Sequence, residues 1–193
     1  MKLFSKVILY LSLLGSSAQA QSGDPVPVVG LELDRYVGEW YEIASIPNGD
    51  SPFDCRNTKA IYEPLRDGTV GVENVCDTGV LGQSFKQRIY GIAAPLSTEE
   101  AIFSLTLRPL SAVIPGGNKY TRGFAVKGDY WVLELGADYE YALIGNPSRN
   151  SLFVLARSSE MDEDLYIELL ELAETRHGYG ELVEKMVLTP QDQ

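Results

Sequence analysis

Histidine is nearly absent from this chain: its 193 residues hold one, His177. Cysteine is scarce as well, with Cys55 and Cys76 alone. One histidine and two cysteines give no cluster with zinc or haem ligand spacing, so neither a metal nor another cofactor is expected. His177 falls at the end of a helical segment, away from any strand. A surface position beside the helix C-terminus is expected for it, and no Ser-His-Asp arrangement. Gly116-Gly117 is not followed by Gly-Lys-Ser/Thr, so no phosphate-cradling loop is read. Basic residues are outnumbered, 16 Lys and Arg against 27 Asp and Glu, for a net charge of −11. Such a chain repels phosphate backbones and anionic lipid surfaces, which excludes nucleic acid as an expected partner. Beyond the first twenty residues no apolar run is long enough to span a bilayer.

Residues 1–20 read as a signal peptide. Lys2 and Lys6 form a basic start, Val7 to Leu14 a short apolar run, and Ala18-Gln19-Ala20 a small-x-small cleavage site. A cysteine right after that site would mark a bacterial lipoprotein. Gln21 stands there instead, so no membrane anchor is expected. The mature chain, 21–193, is expected to be one soluble domain, secreted from the cell or into the periplasm.

What remains is a series of short strands. Asn57 to Leu65 and Thr69 to Asp77 flank Arg66-Asp67-Gly68, a strong hairpin signal. That hairpin brings Cys55 level with Cys76, and a disulfide between them is expected in an oxidising compartment rather than a reactive thiol. Further strands are read at Ser84 to Ala94, Glu100 to Arg108, Tyr130 to Leu135, Tyr139 to Gly145 and Ser151 to Arg157. A long loop, Pro109 to Arg122, interrupts them. The period then changes to 3.6. Ser159 is a candidate helix cap, with Asp162, Glu163 and Asp164 in the first turn. Leu165, Leu169, Leu172 and Ala173 form one apolar face, and Gly178 ends the helix after Arg176 and His177. Glu184 to Thr189 is a short last strand.

Three segments carry a family resemblance. Tyr36-x-Gly38-x-Trp40-Tyr41-Glu42-Ile43-Ala44 opens the first strand. Tyr130 to Leu135 followed by Asp138-Tyr139-Glu140-Tyr141 comes later, then Leu155-Ala156-Arg157. Their order and intervals resemble the lipocalins, and the first run is similar to the subgroup of apolipoprotein D and the bacterial lipocalins. The resemblance implies an all-β fold, an eight-stranded antiparallel up-and-down barrel with one C-terminal helix packed outside and a short ninth strand. It also implies that Gly38, Trp40, Asp138, Tyr139 and Arg157 are structural, with Arg157 lying across Trp40 at the closed end.

Side chains alternate in and out along a strand. With Trp40 inward, the family's parity points Thr58, Ala60 and Tyr62 into the barrel from the second strand, and Val70, Val72 and Asn74 from the third. Phe103, Leu105 and Leu107 follow from the fifth, Phe153 and Leu155 from the eighth. On the sixth, Tyr130/Val132 and Trp131/Leu133 are both apolar; Tyr130 and Trp131 are kept as candidates. Glu42 also points inward, where its carboxylate needs a partner or a raised pKa. The favoured reading is a carrier, not an enzyme. Its ligand would be a small hydrophobic molecule such as a fatty acid, lysophospholipid, retinoid, sterol or pigment. The candidate contacts are Tyr62, Val72, Asn74, Phe103, Leu105, Leu107, Tyr130, Trp131, Phe153 and Leu155. An isomerase or cyclase acting on a lipid or polyene is the alternative, with Glu42 and Tyr62 as its only acid or base. A filled barrel whose partner docks on the Pro109–Arg122 loop is a third.

Overall fold

The computed structural model describes residues 23–47, 55–80, 83–109, 117–121 and 123–192. The expected signal peptide, 1–20, lies outside them, as do 110–116 and 122 of the long loop. Among the described residues the chain forms a short helix α1 (Leu33–Tyr36), then β1 (Gly38–Ser45), β2 (Arg56–Pro64), β3 (Val70–Val80) and β4 (Gln83–Pro95). There follow β5 (Ile102–Arg108), β6 (Val126–Leu135), β7 (Tyr141–Gly145) and β8 (Leu152–Ala156). Helix α2 (Glu163–Thr175), a 3₁₀ helix (Gly180–Lys185) and β9 (Val187–Leu188) complete the order.

Each strand from β1 to β8 pairs antiparallel with its sequence neighbour, and β1 pairs with both β2 and β8, so the sheet closes on itself. Strand direction therefore alternates, so the turns β2–β3, β4–β5 and β6–β7 all lie at one end of the barrel. Closure is not uniform. β2 leaves β1 after the Tyr41–Lys59 pair, and β9 takes its place beside Ala44 and Ser45. The C-terminal tail fills the seam: Asn57 N donates to Pro190 O, and Asn57 and Arg56 bond Asp192. Cys55 and Cys76 are disulfide-bonded, 21 residues apart. A loop of that length stabilises by about 3 kcal/mol in the chain-entropy estimate.

Two apolar clusters occupy the two faces of the same strands. Inside are Trp40, Ala60, Tyr62, Val72, Phe103, Val132, Ile144 and Leu155. Outside, Leu133, Leu143, Leu152, Val154 and Ala156 meet Leu169 and Ala173 of α2. The sixth strand thus resolves: Tyr130 and Val132 belong to the inner cluster, Trp131 and Leu133 to the outer one. A bulge between Val132 and Glu134 shifts the β6–β7 register at this point.

The closed end is held by one side chain. Arg157 lies with Cζ 3.9 Å from the centre of the Trp40 ring. Its nitrogens donate to Glu39 O (2.7 Å), Arg35 O (2.8 Å), Tyr36 O (3.1 Å), Val37 O (3.0 Å) and Tyr139 O (3.3 Å). The carbonyls of α1 are ones its single turn leaves without intrahelical partners. Gly38 takes φ +103°, and a Cβ there would lie 3.3 Å from Arg157 Nη1. Only glycine reaches that conformation without strain. Tyr139 also takes a positive φ, +62°, and the strand begins after it, at Tyr141 rather than at Tyr139. Asp138 is exposed in that turn.

Three local expectations are corrected. Asp162, not Ser159, caps α2, its carboxylate accepting from Asp164 N and Leu165 N. Asp162 itself is extended (φ −61°, ψ 136°), so the cap lies closer to the first apolar turn. Much of the expected last strand is the 3₁₀ helix, with strand only at Val187–Leu188. His177 is buried, 1% exposed, not a surface residue. The segment before α1 packs across it: Val26 N donates to Nδ1 (3.3 Å), and Nε2 lies 2.8 Å from Glu134 Oε1.

Replacing Arg157 by lysine keeps the charge but removes the planar fork that reaches several carbonyls at once. Arg157→Lys is expected to lower the unfolding free energy by about 2 kcal/mol in urea titration. A loss below about 0.5 kcal/mol would mean that the closed end does not depend on this clamp.

Candidate ligand-binding site

Inside the barrel lies a cavity of about 160 Å³. A dry apolar cavity of about 150 Å³ is large enough for a benzene-sized guest, so side chains do not fill the hollow. Its wall follows the expected parity. Thr58, Ala60 and Tyr62 line it from β2, and Val70, Val72 and Asn74 from β3. Phe103, Leu105 and Leu107 come from β5, Tyr130 from β6, Phe153 and Leu155 from β8. Trp131 is the exception among the candidate contacts. It faces away from the cavity and packs in the cluster beneath α2, because adjacent residues of a strand point to opposite faces.

Sequence reasoning missed Leu33, Tyr36, Lys59, Ala93 and Ile144, which also line the cavity. Leu33 and Tyr36 escaped because α1 was not foreseen. The signal was present: Tyr36 stands four residues before Trp40, and their ring centroids are 5.1 Å apart. Ala93 is the partner of Leu105 and of Val70 in the ladders, so it shares their face.

Besides Thr58, Lys59 and Asn74, the polar side chains of the cavity gather in two places. Tyr36, Tyr62 and Tyr130 meet through their hydroxyls, Tyr130 Oη lying 2.5 Å from Tyr36 Oη and 3.0 Å from Tyr62 Oη. The Tyr36 and Tyr62 rings stack at 5.7 Å, and Tyr130 stands edge-on to Tyr62 at 6.0 Å. Desolvation raises all three phenols above the ordinary value, that of Tyr62 to about 12. They are neutral hydroxyls at physiological pH.

Glu42 is the second polar place. Its Oε1 accepts from Ser45 Oγ (3.1 Å) and Thr189 Oγ1 (2.7 Å). The partners found are two hydroxyls, one of them from the C-terminal tail beyond β9. Desolvation raises the carboxyl above its ordinary range, and the two hydroxyl bonds oppose that shift. No group of three or more His, Cys, Asp or Glu among the described residues is placed to hold a metal ion. No helix among them is long and apolar enough to cross a membrane.

The long loop packs partly on the outer wall. Tyr120 lies over Gly71, where a Cβ would be 2.8 Å from its ring. Arg108 Nε donates to Tyr120 O (3.1 Å).

A closed up-and-down barrel with a single helix outside and an apolar hollow inside defines a class of small-ligand-binding barrels. The match of residues 31–191 to the lipocalin-like domain model places it further: the chain belongs to the lipocalin family. It is 36% identical over 170 residues to temperature-induced lipocalin-1 of Arabidopsis thaliana, covering 85% of this chain and 81% of that one. It is 29% identical over 157 residues to the outer membrane lipoprotein Blc of Escherichia coli, covering 79% and 76%. Among solved structures, insecticyanin of the tobacco hornworm Manduca sexta aligns with a TM-score of 0.60 at 17% identity, over 89% of this chain and 86% of that one. At that identity the likeness speaks for the fold alone.

The Glu42 carboxyl binds its proton more tightly folded than unfolded. That contributes stability at pH values below the ordinary 4.5, and the contribution is lost as pH rises through the raised folded value. Glu42→Gln does not titrate, and its carbonyl can still accept from Thr189. The wild type is therefore expected to lose stability relative to Glu42→Gln as pH rises from about 4 to 7, by denaturant titration at each pH. A difference that stays flat over that interval would show the carboxyl to be unperturbed.

Proposed function

We infer that this chain is a secreted carrier that takes up one small hydrophobic molecule reversibly in its barrel. The observation that carries the reading is the unfilled cavity, walled by Val70, Val72, Ala93, Leu105 and Leu107 from β3 to β5 and by Ile144 and Leu155 from β7 and β8 across the barrel. Uptake of an apolar guest there contributes about 25 cal/mol per Å² of surface removed from water. Fatty acids, lysophospholipids, retinoids, sterols and pigments are the guest classes in view. Tyr62, Val72, Asn74, Phe103, Leu105, Leu107, Tyr130, Phe153 and Leu155 are the proposed contacts. Secretion is supported by the basic, then apolar, then small-residue order of residues 1–20.

A second reading keeps the barrel but adds chemistry. Glu42 and Tyr62 face the same cavity, and the Glu42 charge is close enough to raise the Tyr62 phenol. An isomerase or cyclase for a lipid or polyene would use them as acid and base. Native mass spectrometry of protein purified from its source separates the readings: a bound guest recovered unchanged supports the carrier, and one recovered as an isomer supports the enzyme.

Filling the hollow tests the carrier directly. Leu105→Trp places an indole in the cavity and is expected to weaken uptake of a fluorescent fatty acid more than tenfold, with the far-ultraviolet dichroism unchanged. Uptake equal to that of the wild type would place the guest elsewhere.

A further inference from the structure

Three phenol groups meet inside the cavity, and their hydrogen bonds do not use all their hydrogens. Tyr130 Oη is within bonding distance of both Tyr36 Oη (2.5 Å) and Tyr62 Oη (3.0 Å). Each hydroxyl brings one hydrogen and two lone pairs. Two contacts consume two of the three hydrogens, whichever way the bonds point. One O–H is therefore left without an acceptor among the described residues, and all three rings line the cavity. The rings are fixed: Tyr36 stacks on Tyr62, and both belong to the inner core. A donor held in place inside an apolar hollow is costly when unmatched and becomes a point of attachment when a guest supplies the acceptor.

The charges around the cavity narrow what that acceptor is. Arg157 lies on the Trp40 ring, and its nitrogens are occupied by backbone carbonyls. The Lys59 ammonium lies 3.3 Å from Glu39 Oε2 and over the Tyr41 ring, 4.4 Å from its centre. Glu42 adds an acid to the cavity itself. An anionic head placed among the phenols would meet no free cation among the described residues and would be desolvated at high cost. A neutral acceptor meets no such penalty.

We propose that the barrel selects an apolar molecule whose inward end is a neutral hydrogen-bond acceptor, a ketone or aldehyde carbonyl, received by the Tyr36–Tyr130–Tyr62 hydroxyls. The inference rests on the carrier reading and narrows the guest. A carboxylic acid of the same length binds in the opposite sense, tail inward and carboxylate in water at the open end. Its affinity is then indifferent to the phenols.

Two probes of equal length, 2-nonanone and nonanoate, test this in competition with an environment-sensitive dye. They are titrated into the wild type and into the triple variant Tyr36→Phe, Tyr62→Phe, Tyr130→Phe. All three hydroxyls are removed together, because any single deletion leaves a free O–H behind. The ketone is expected to lose about tenfold in affinity in the triple variant, the acid less than twofold. If both fall alike, or neither changes, the selection is overturned while the carrier reading stands. If neither probe displaces the dye from the wild type, the carrier reading itself fails. Infrared spectroscopy of carbonyl-labelled 2-nonanone on the wild type needs no variant. The carbonyl band is expected below its position in hydrocarbon solvent, and a band at the hydrocarbon position overturns the proposal.

Discussion

The guanidinium of Arg157 on the face of Trp40 does more than stopper the barrel. Cation and indole attract through the ring quadrupole, a contact of about 1–2 kcal/mol when desolvated. The larger effect lies in the hydrogen bonds. Arg157 joins carbonyls of α1 and β1 to that of Tyr139 in the β6–β7 turn, about a hundred residues further along the chain. A helix of one turn cannot satisfy its own carbonyls, so α1 exists as a helix because this side chain completes it. Tyr36 ends that helix and reaches the cavity. The clamp at the closed end therefore sets the position of one of the phenols inside.

The wall between the two cores explains how a thin sheet can bear a hollow. On the outer side, α2 buries Leu169 and Ala173 against Leu133, Leu143 and Val154. On the inner side the same strands present Val132, Ile144 and Leu155. Packing on the helix side holds strands whose inner face is only partly packed. The segment preceding α1 adds a second brace, with Val28 bonded to Val132 and Ala101. His177 and Arg149 fasten that segment further back, Arg149 bonding both His177 O and Gly23 O.

Much of this architecture is legible from residue order. Alternation placed Thr58, Ala60 and Tyr62 inward, and the ladders put Gly38, Trp40 and their partners in the matching register. Asp67-Gly68 marks its turn because Asp67 Oδ1 accepts from Thr69 N and Gly68 takes φ +82°. Alternation was silent where both faces are apolar. Trp131 and Tyr130 differ by one position, and only the packing of α2 decides between them. It was silent also for His177, whose burial depends on the segment before α1, 151 residues from it in sequence at Val26. One Glu42 partner escaped for the same reason, since Thr189 arrives from the far end of the chain, while Ser45 lies three residues away on the same strand.

The cavity is where local rules and function part. Phenylalanine at 36, 62 and 130 would satisfy the apolar pattern of the strands and leave no buried hydroxyl to match. Three tyrosines carry a desolvation cost that phenylalanine avoids, and their mutual bonds recover only part of it. Glu42 repeats the conflict, a carboxyl drawn into an apolar wall and held by two hydroxyls. Sequences that fold well are consistent across levels, and departures gather where a surface must recognise something other than itself. Two such departures face this one hollow. The outer core also buries a phenol, Tyr179, but that hydroxyl is fully matched, donating to Ser151 O and accepting from Asn146 N, whereas the three cavity phenols keep one hydrogen without an acceptor among the described residues. That asymmetry between two cores built on the same strands is the physical argument that the inner one is shaped for a guest.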